Sequence, residues 1–191
     1  CHRVKDRGKD VEKLKMIISN AIEKKSKVII PTFTLDRLQL ILTTLYETYN
    51  GVSPIRIIVD TPLGGSISHI WEDIIDKDKE LWDKVKNWDN VYWVSDFKDS
   101  MAFSALEEPL LVLAGGGMMS NGRATFWAKE QLSKSSNYFV FCGYATEEST
   151  AGQIKSGALT EIKIDGKRIK NRAHIVTLQS FSSHADRNEL L

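Results

Sequence analysis

The sequence predicts an α/β fold in which a mostly parallel, Rossmann-like sheet carries helices on both faces. Two observations support this prediction. The strand-like segments are short, continuous apolar runs, such as Lys-Val-Ile-Ile-Pro at 27–31, and such runs are typical of strands that are buried on both faces. Segments with apolar residues at helical spacing separate these runs over most of the chain, which is the order of elements in βαβ units.

The elements of the first half follow from these two patterns. The first helix is predicted from apolar positions 11, 14, 17, 18, 21 and 22. The second helix is expected to be capped by Thr34 or Asp36, and the third to open at Thr61–Pro62, because proline suits the first turn. The predicted strands cover residues 27–31, 55–60 and 91–94, and the predicted helices cover residues 10–25, 34–49, 61–75 and part of 76–90.

The second half continues the alternation and adds a hairpin. Residues 160–170 alternate in polarity around Asp165-Gly166, a dipeptide that favours a tight hairpin turn. A further helix is expected to begin at Ala185. The predicted strands cover residues 109–114, 138–142 and 173–178, and the predicted helices cover residues 121–132 and 149–156.

Composition limits the class of protein. The 191 residues are 42% hydrophobic, which suffices for the core of one sizeable domain. The 26 basic and 25 acidic residues give a formal charge of +1, which neither indicates a general nucleic-acid binder nor excludes a local basic patch. No signal peptide and no apolar run of about 18 residues is present, so no membrane contact is expected. A buried Cys142 would suit a reducing, cytoplasmic setting.

In a parallel sheet, ligands bind beyond the carboxyl ends of the strands. The loops expected at that edge cover residues 31–37, 60–66, 114–123, 143–150 and 179–186. The candidate functional residues are therefore sought in these five loops.

The last loop contains His184, which is flanked by Ser182, Ser183 and Asp186. A helix that begins here would direct N–H groups and the positive end of its dipole outward, which suits a phosphate, and an imidazole can transfer a proton near neutral pH. Alternatively, Ser183 or Asp186 only caps the helix, and His184 is a surface residue.

Two arginines and a run of glycines occupy other loops of this edge. The Arg37 guanidinium suits a phosphate or an ion pair with the neighbouring Asp36. Arg123 opposes the dipole of the helix that it begins, which favours an anion clamp or a buried ion pair. The glycines at 115–117 let the backbone approach a phosphate or form a tight turn, and they match neither a dinucleotide fingerprint nor a Walker sequence.

The sequence contains no zinc-ligand motif. The four histidines, at positions 2, 69, 174 and 184, do not occur at ligand spacing, and no Cys-x-x-Cys is present. No serine lies in a Gly-x-Ser-x-Gly elbow, which argues against a serine hydrolase.

Five segments are informative because of their order and spacing. They are residues 31–39, 59–63, 114–123, 141–144 and 180–186. In turn they resemble Pro-x-Phe-Ala-x-Gly-Arg-x-Gln, Asp-Ser-Pro-Leu, Ala-Ser-Ser-Gly-Met-x-x-Gly-Gly-Arg, a strand followed by Gly-Tyr, and motif B, Phe-Ser-x-His-x-Asp, of the β-CASP domain of the metallo-β-lactamase superfamily. That family includes ribonuclease J and the mRNA 3′-end cleavage endonuclease.

This resemblance implies a β-CASP cap over residues 1–172 and a return segment over residues 173–191 that leads into a metallo-β-lactamase core. The whole protein would be a zinc-dependent ribonuclease that holds single-stranded RNA between cap and core. His184 would be catalytic as a proton donor. The residues implied to bind the substrate are Ser182, Ser183, Arg37, Gly117 and Arg123.

The same resemblance implies that the metal lies elsewhere. The core signature His-x-His-x-Asp-His, the acidic motif A and the histidine of motif C have no counterpart in the chain. Two zinc ions are therefore expected to be bound by residues outside it, the chain alone is expected to be inactive, and it is expected to be an excised piece of a longer protein. A homo-oligomer is compatible with this scheme.

Two departures from the family pattern affect the site. Asp36 replaces the glycine before Arg37, which would turn that arginine inward. Glu147 and Glu148 stand where the family has a Gly-Thr turn, and their carboxylates would repel RNA or pair with a cation.

Three other functions stay open at this point. The protein could be an inactive scaffold that binds RNA or partner subunits, or a DNA-processing nuclease of the same superfamily. A plain Rossmann-like nucleotide-binding module is the third, and the absent dinucleotide fingerprint argues against it.

Overall fold

The computed structural model describes residues 7–63 and 79–181, and their core is a six-stranded parallel sheet. The helices are α1 (Arg7–Glu23), α2 (Arg37–Thr48), α3 (Lys79–Lys86), α4 (Phe97–Ala105), α5 (Arg123–Gln131) and α6 (Thr150–Ser156). The strands are β1 (Lys27–Thr32), β2 (Arg56–Asp60), β3 (Val91–Trp93), β4 (Leu110–Gly115), β5 (Tyr138–Phe141), β6 (Glu161–Ile164), β7 (Lys167–Lys170) and β8 (His174–Thr177). In these ranges, no helix is long and apolar enough to cross a membrane.

The sheet confirms the predicted fold class. Its strand order is β3-β2-β4-β1-β5-β8, and every neighbouring pair is parallel. Strands β1, β4 and β5 are buried along their whole length, as their continuous apolar runs predict. These strands are buried because helices cover both faces of the sheet.

Each face of the sheet has its own hydrophobic core. Helices α1, α2 and α3 pack on one face, where Leu38, Ile41 and Trp82 are among the buried side chains. Helices α5 and α6 pack on the other face, together with Phe103 of α4 and the isoleucines of the antiparallel β6–β7 hairpin, around Trp127. The hairpin at Asp165-Gly166 is thus confirmed, and both of its turn residues have positive φ.

Two details differ from the sequence prediction. Helix α4 was not predicted, because its buried residues are Ser100 and Ser104 rather than apolar side chains; the signal that could have found it is Asp96, whose side chain caps the helix at Lys98 N. The predicted capping of α2 by the Asp36 side chain is wrong. Asp36 has φ 69° and makes no capping hydrogen bond, whereas the Gln39 side chain donates to Thr34 O at 3.1 Å.

Of the remaining predictions, one is confirmed and others fall in the ranges that the structure does not describe. Ser149 caps α6 as its side chain accepts from Gly152 N at 3.0 Å. The helix predicted from Thr61–Pro62 and the one predicted at Ala185 lie almost wholly outside the described residues. The boundary at residue 172 stays a prediction, and β8, which follows it, pairs with β5 at the edge of the same sheet.

Candidate functional site

The topology places a crevice between the carboxyl ends of β1 and β4. The connection that leaves β1 passes through α2 on one face of the sheet, and the connection that leaves β4 passes through α5 on the other. Neighbouring parallel strands whose connections diverge in this way form a topological switch point, where ligands bind in doubly wound folds. The loops at 33–36 and 116–122 line this crevice.

The glycine loop after β4 packs closely against the loop after β1. Gly116 N donates to Thr32 O at 3.1 Å, and Gly116 has φ +112°, a conformation that favours glycine. A side chain at Gly117 would lie 3.0 Å from the ring of Phe33. The tight-turn interpretation of these glycines is therefore sufficient for their geometry, and binding of substrate at Gly117 stays a prediction.

Arg37 is directed into this edge of the protein, and only 4% of its surface is exposed. Its Nε donates to Phe181 O at 3.3 Å, and its guanidinium lies 5.1 Å from the centre of the Phe33 ring. Burial lowers the pKa of the guanidinium, which nevertheless stays protonated because arginine has the most basic of the side chains.

The surroundings of Arg37 distinguish between the two roles considered for it. No salt bridge joins it to Asp36, both being among the described residues. A side chain at Gly143 would lie 2.6 Å from Nη2 of Arg37, so the guanidinium fills the space that this glycine leaves. Arg37 thus holds the backbone at Phe181, and its contact with a phosphate stays a prediction.

The chain that leaves β8 is held at three successive points. Leu178 N donates to Phe141 O at 2.9 Å, Ser180 N donates to Asp10 Oδ2 at 2.7 Å, and Phe181 accepts the Arg37 bond and is fully buried. The next residues in the sequence are Ser182, Ser183 and His184, which lie outside the described residues. Their predicted roles are therefore untested, but the segment that leads to them ends at the same edge as the other loops.

Arg123 forms the buried ion pair that was one of its two predicted roles. Its Nε lies 3.3 Å from Asp60 Oδ1, its Nη1 donates to Ser100 Oγ at 3.2 Å, and its guanidinium lies 4.8 Å from the centre of the Phe97 ring. Asp60 is fully buried, and its Oδ2 accepts from Trp127 Nε1 at 2.7 Å.

Asp60 is the central residue that sequence reasoning did not single out. Its signal was available, because it is a carboxylate at the end of a buried strand. Its Oδ1 lies within ion-pair distance of Arg123 yet lacks a partner with hydrogen-bond geometry, so the pair is electrostatic rather than directional. The carboxylate neutralises Arg123, and an anion-binding role for this arginine stays a prediction.

A cavity of about 680 Å³ opens beside this ion pair. Thr34 and Thr61 share a hydrogen bond of 3.0 Å at its wall, and the buried Thr125 hydroxyl has no hydrogen-bond partner in the described part of the chain. Lys129 and Asp165, which form a 2.8 Å ion pair, also line the cavity. The cavity therefore extends from the glycine loop to the tip of the β6–β7 hairpin.

The described portions of the five predicted loops meet at one edge, because they follow strands of a parallel sheet. Exposed aromatic rings occur there as well, on Phe33 and Tyr144. Residues 7–63 and 79–181 contain no group of three His, Cys, Asp or Glu side chains that could hold a metal ion.

These features define a doubly wound α/β domain with a polar switch-point site, and comparison with known proteins identifies its family. Residues 35–154 match the Beta-Casp domain. Ribonuclease TTHA0252 of Thermus thermophilus is 29% identical over 182 residues, which are 92% of this chain and 42% of that protein. Transcription termination factor FttA of Methanococcus maripaludis is 27% identical over 197 residues, covering 92% of this chain and 29% of the factor.

A third relative is Integrator complex subunit 11 of Gallus gallus, which is 26% identical over 173 residues, or 88% of this chain and 28% of that subunit. The chain therefore belongs to the β-CASP domain family, as its five motifs predicted. It spans less than half the length of each of these relatives.

Proposed function

We propose that the chain is the cap domain of a ribonuclease that hydrolyses phosphodiester bonds in single-stranded RNA at the carboxyl edge of this sheet. The observation that carries the proposal is the convergence of the motif loops on one edge, where Arg37 and Asp10 hold the chain just before Ser182. Relatives named as a ribonuclease and a transcription termination factor support the RNA substrate.

In this proposal His184 donates a proton to the leaving oxygen as the P–O bond breaks, which is a role suited to an imidazole near neutral pH. Ser182, Ser183 and the loop at Gly117 bind phosphate oxygens. Arg37 and Arg123 act at the same edge, and the contacts above favour a positioning role for both. The exposed rings of Phe33 and Tyr144 are suited to stack on unpaired bases.

The remaining parts of the proposal concern the metal ions and the location of the protein. Two zinc ions, bound by a metallo-β-lactamase core, would supply the activated water. A cytoplasmic location accords with the buried, unpaired thiol of Cys142.

The test replaces His184 by alanine in the full-length protein and measures the rate of RNA cleavage. The loss of a general acid is expected to lower the rate about 10²–10⁴-fold. His174→Ala is a matched control, because His174 is exposed, stacks on Tyr138 and lies at the amino end of β8. That variant should cleave RNA at the normal rate.

Equal rates for the two histidine variants would contradict the catalytic role of His184. A wild-type protein that binds RNA but cleaves neither RNA nor DNA would instead be an inactive scaffold. Cleavage of a DNA oligonucleotide in preference to RNA of the same sequence would move the protein to the DNA-processing branch.

A further inference from the structure

The β6–β7 hairpin and its flank, residues 161–172, concentrate positive charge on the protein. This segment, the basic hairpin, contains five basic and two acidic residues. Its net charge is thus +3 in a chain whose total is +1, so the rest of the chain sums to −2. The nearly neutral net charge of the whole chain does not reveal this local excess of positive charge. Local basic patches of this kind attract polyanions.

The register of the hairpin places the basic side chains on its outer face. Ile162 pairs with Ile169, and both pack inward against the core around Trp127. Because successive residues of a strand point to opposite faces, the neighbouring pair of Lys163 and Arg168 points outward. Lys170 faces outward with them, and all three side chains are exposed.

Few carboxylates neutralise this face. Glu161 lies 4.0 Å from Arg168, and Asp165 is already paired with Lys129. Among the described residues, Lys163, Lys167, Lys170 and Arg172 form no ion pair within 4.0 Å, although Glu161 stands opposite Lys170 across the strands. Their charge is therefore available to a ligand.

The arrangement also carries a cost for stability. Lys163 and Arg168 lie directly opposite each other across the two strands, and like charges in that position are destabilising. Local rules of this kind are broken most often at functional sites. A bound polyanion would convert the repulsion into attraction.

The position of the hairpin connects it with the candidate site. Its turn residue Asp165 and its partner Lys129 line the cavity that also includes Gly116 and Arg123. At the other end, Arg172 N and Ala173 N donate to Leu132 O beyond the carboxyl end of α5. The basic face therefore begins at the cavity and extends away from it.

We infer that the outer face of the basic hairpin is a second RNA-binding surface, which holds the phosphodiester backbone of single-stranded RNA that extends beyond the site. This inference rests on the proposed function for the nature of the polyanion. Because the contacts are made by lysine and arginine to phosphates, binding is independent of base sequence and strongly dependent on salt.

The test neutralises the three basic side chains of the outer face, in the variant Lys163→Gln/Arg168→Gln/Lys170→Gln of the full-length protein. A matched control, Lys24→Gln/Lys79→Gln/Lys98→Gln, removes the same charge from exposed positions just after α1, on α3 and on α4. Affinity is measured by fluorescence anisotropy, at temperatures that keep the RNA intact, with oligouridylates of about 6 nucleotides, which occupy a single site, and of about 30 nucleotides, which extend beyond it.

The hairpin variant should bind the long RNA on the order of 10–100-fold more weakly at ~0.1 M salt, and the slope of log K against log[salt] should become shallower by about 2, since each lost phosphate contact removes about 0.7. Its affinity for the short RNA and its rate of cleavage of that RNA should equal those of the wild type. The control should bind both RNAs normally.

Three results would overturn the inference: equal losses in the hairpin variant and the control, an equal loss for the short and long RNAs, or unchanged affinity of the hairpin variant for the long RNA. The last would assign the basic face to another partner, such as an acidic protein surface. None of these results depends on His184, whereas loss of the proposed function is read from the cleavage rate of the short RNA alone.

Discussion

Buried polar side chains occur at both edges of the sheet, but they are used differently. At the amino edge, Asn137 accepts from Lys27 N at 2.9 Å and donates to Gln131 Oε1 at 3.0 Å, and Gln131 donates to Ser104 Oγ at 2.7 Å. This chain of bonds links β1, α4, α5 and the start of β5. Each side-chain nitrogen and amide oxygen in it has a partner.

At the carboxyl edge, several buried polar atoms have no hydrogen-bond partner among the described residues. Asp60 Oδ1, Gln39 Oε1, Thr125 Oγ1 and Ser180 Oγ are buried without a hydrogen-bond partner. Buried oxygens without a hydrogen-bond partner also lie beside the amino ends of the strands, at Ser26 Oγ before β1 and Glu108 Oε1 before β4, so such atoms alone do not distinguish the two edges. The edges differ instead in what their partnered groups do: the amino edge joins its elements through a network of neutral side chains, whereas the carboxyl edge holds the buried Asp60–Arg123 ion pair beside a cavity.

The largest effect is expected from Asp60→Ala at the carboxyl edge. This change leaves the Arg123 guanidinium, which is 13% exposed, without its carboxylate and removes the acceptor of Trp127 Nε1. Breaking a buried pair from one side is expected to lower the free energy of unfolding by about 3 kcal/mol, measured by urea denaturation.

Asp60→Asn provides the control for this prediction, because its amide oxygen still accepts from Trp127 while the charge is gone. It should be more stable than Asp60→Ala. In the full-length protein, under the proposed function, it should cleave RNA more slowly than the wild type, since Arg123 begins the helix that follows the glycine loop. Normal cleavage by Asp60→Asn would mean that the ion pair only stabilises the fold.

The amino edge provides the opposite expectation. Asn137→Ala leaves Lys27 N and Gln131 Oε1 without their partner and should lower the free energy of unfolding by roughly 2 kcal/mol. Under the proposed function, RNA cleavage per folded molecule of the full-length protein should be unchanged, because the loops proposed to bind RNA are at the other end of the strands. A large fall in that cleavage rate at full folding would contradict the division between the two edges.

The sequence predicts the elements whose structure is specified locally. Continuous apolar strands such as 110–115 and hairpin residues such as Asp165-Gly166 specify their structure locally, so the sheet and the turn were predictable. Helix α4 was not, because it packs through Ser100 and Ser104, whose partners Arg123 and Gln131 come from another helix.

The site was predicted as a set of loops but not as a set of contacts. Arg37 reaches Phe181 across 144 residues of sequence, and the role of Asp60 depends on Arg123 and Trp127 together. Motif spacing shows that such residues belong to one edge. It does not show whether an arginine will meet a phosphate, a carboxylate or a backbone carbonyl, because that choice is made by packing between distant segments.

The smallest expected effect at neutral pH concerns Cys142, which lies at the carboxyl edge and is buried. Burial raises the pKa of its thiol from 9.0 to about 12, against a smaller opposing influence of Arg37. The unfolded chain therefore loses this proton near pH 9, whereas the folded protein retains it until about pH 12, so stability falls across that range as the pH rises.

Replacing Cys142 by alanine removes this contribution while the other titrating groups are kept. The difference in unfolding free energy between wild type and Cys142→Ala should be constant below pH 9. Above pH 9 the wild type should lose stability relative to the variant. In a Cys1→Ser background, native Cys142 should also resist alkylation at pH 8 and react after unfolding, because the thiolate is the reactive form. Rapid alkylation of the folded protein would contradict this prediction, because it would show that solvent reaches the thiol at the carboxyl edge.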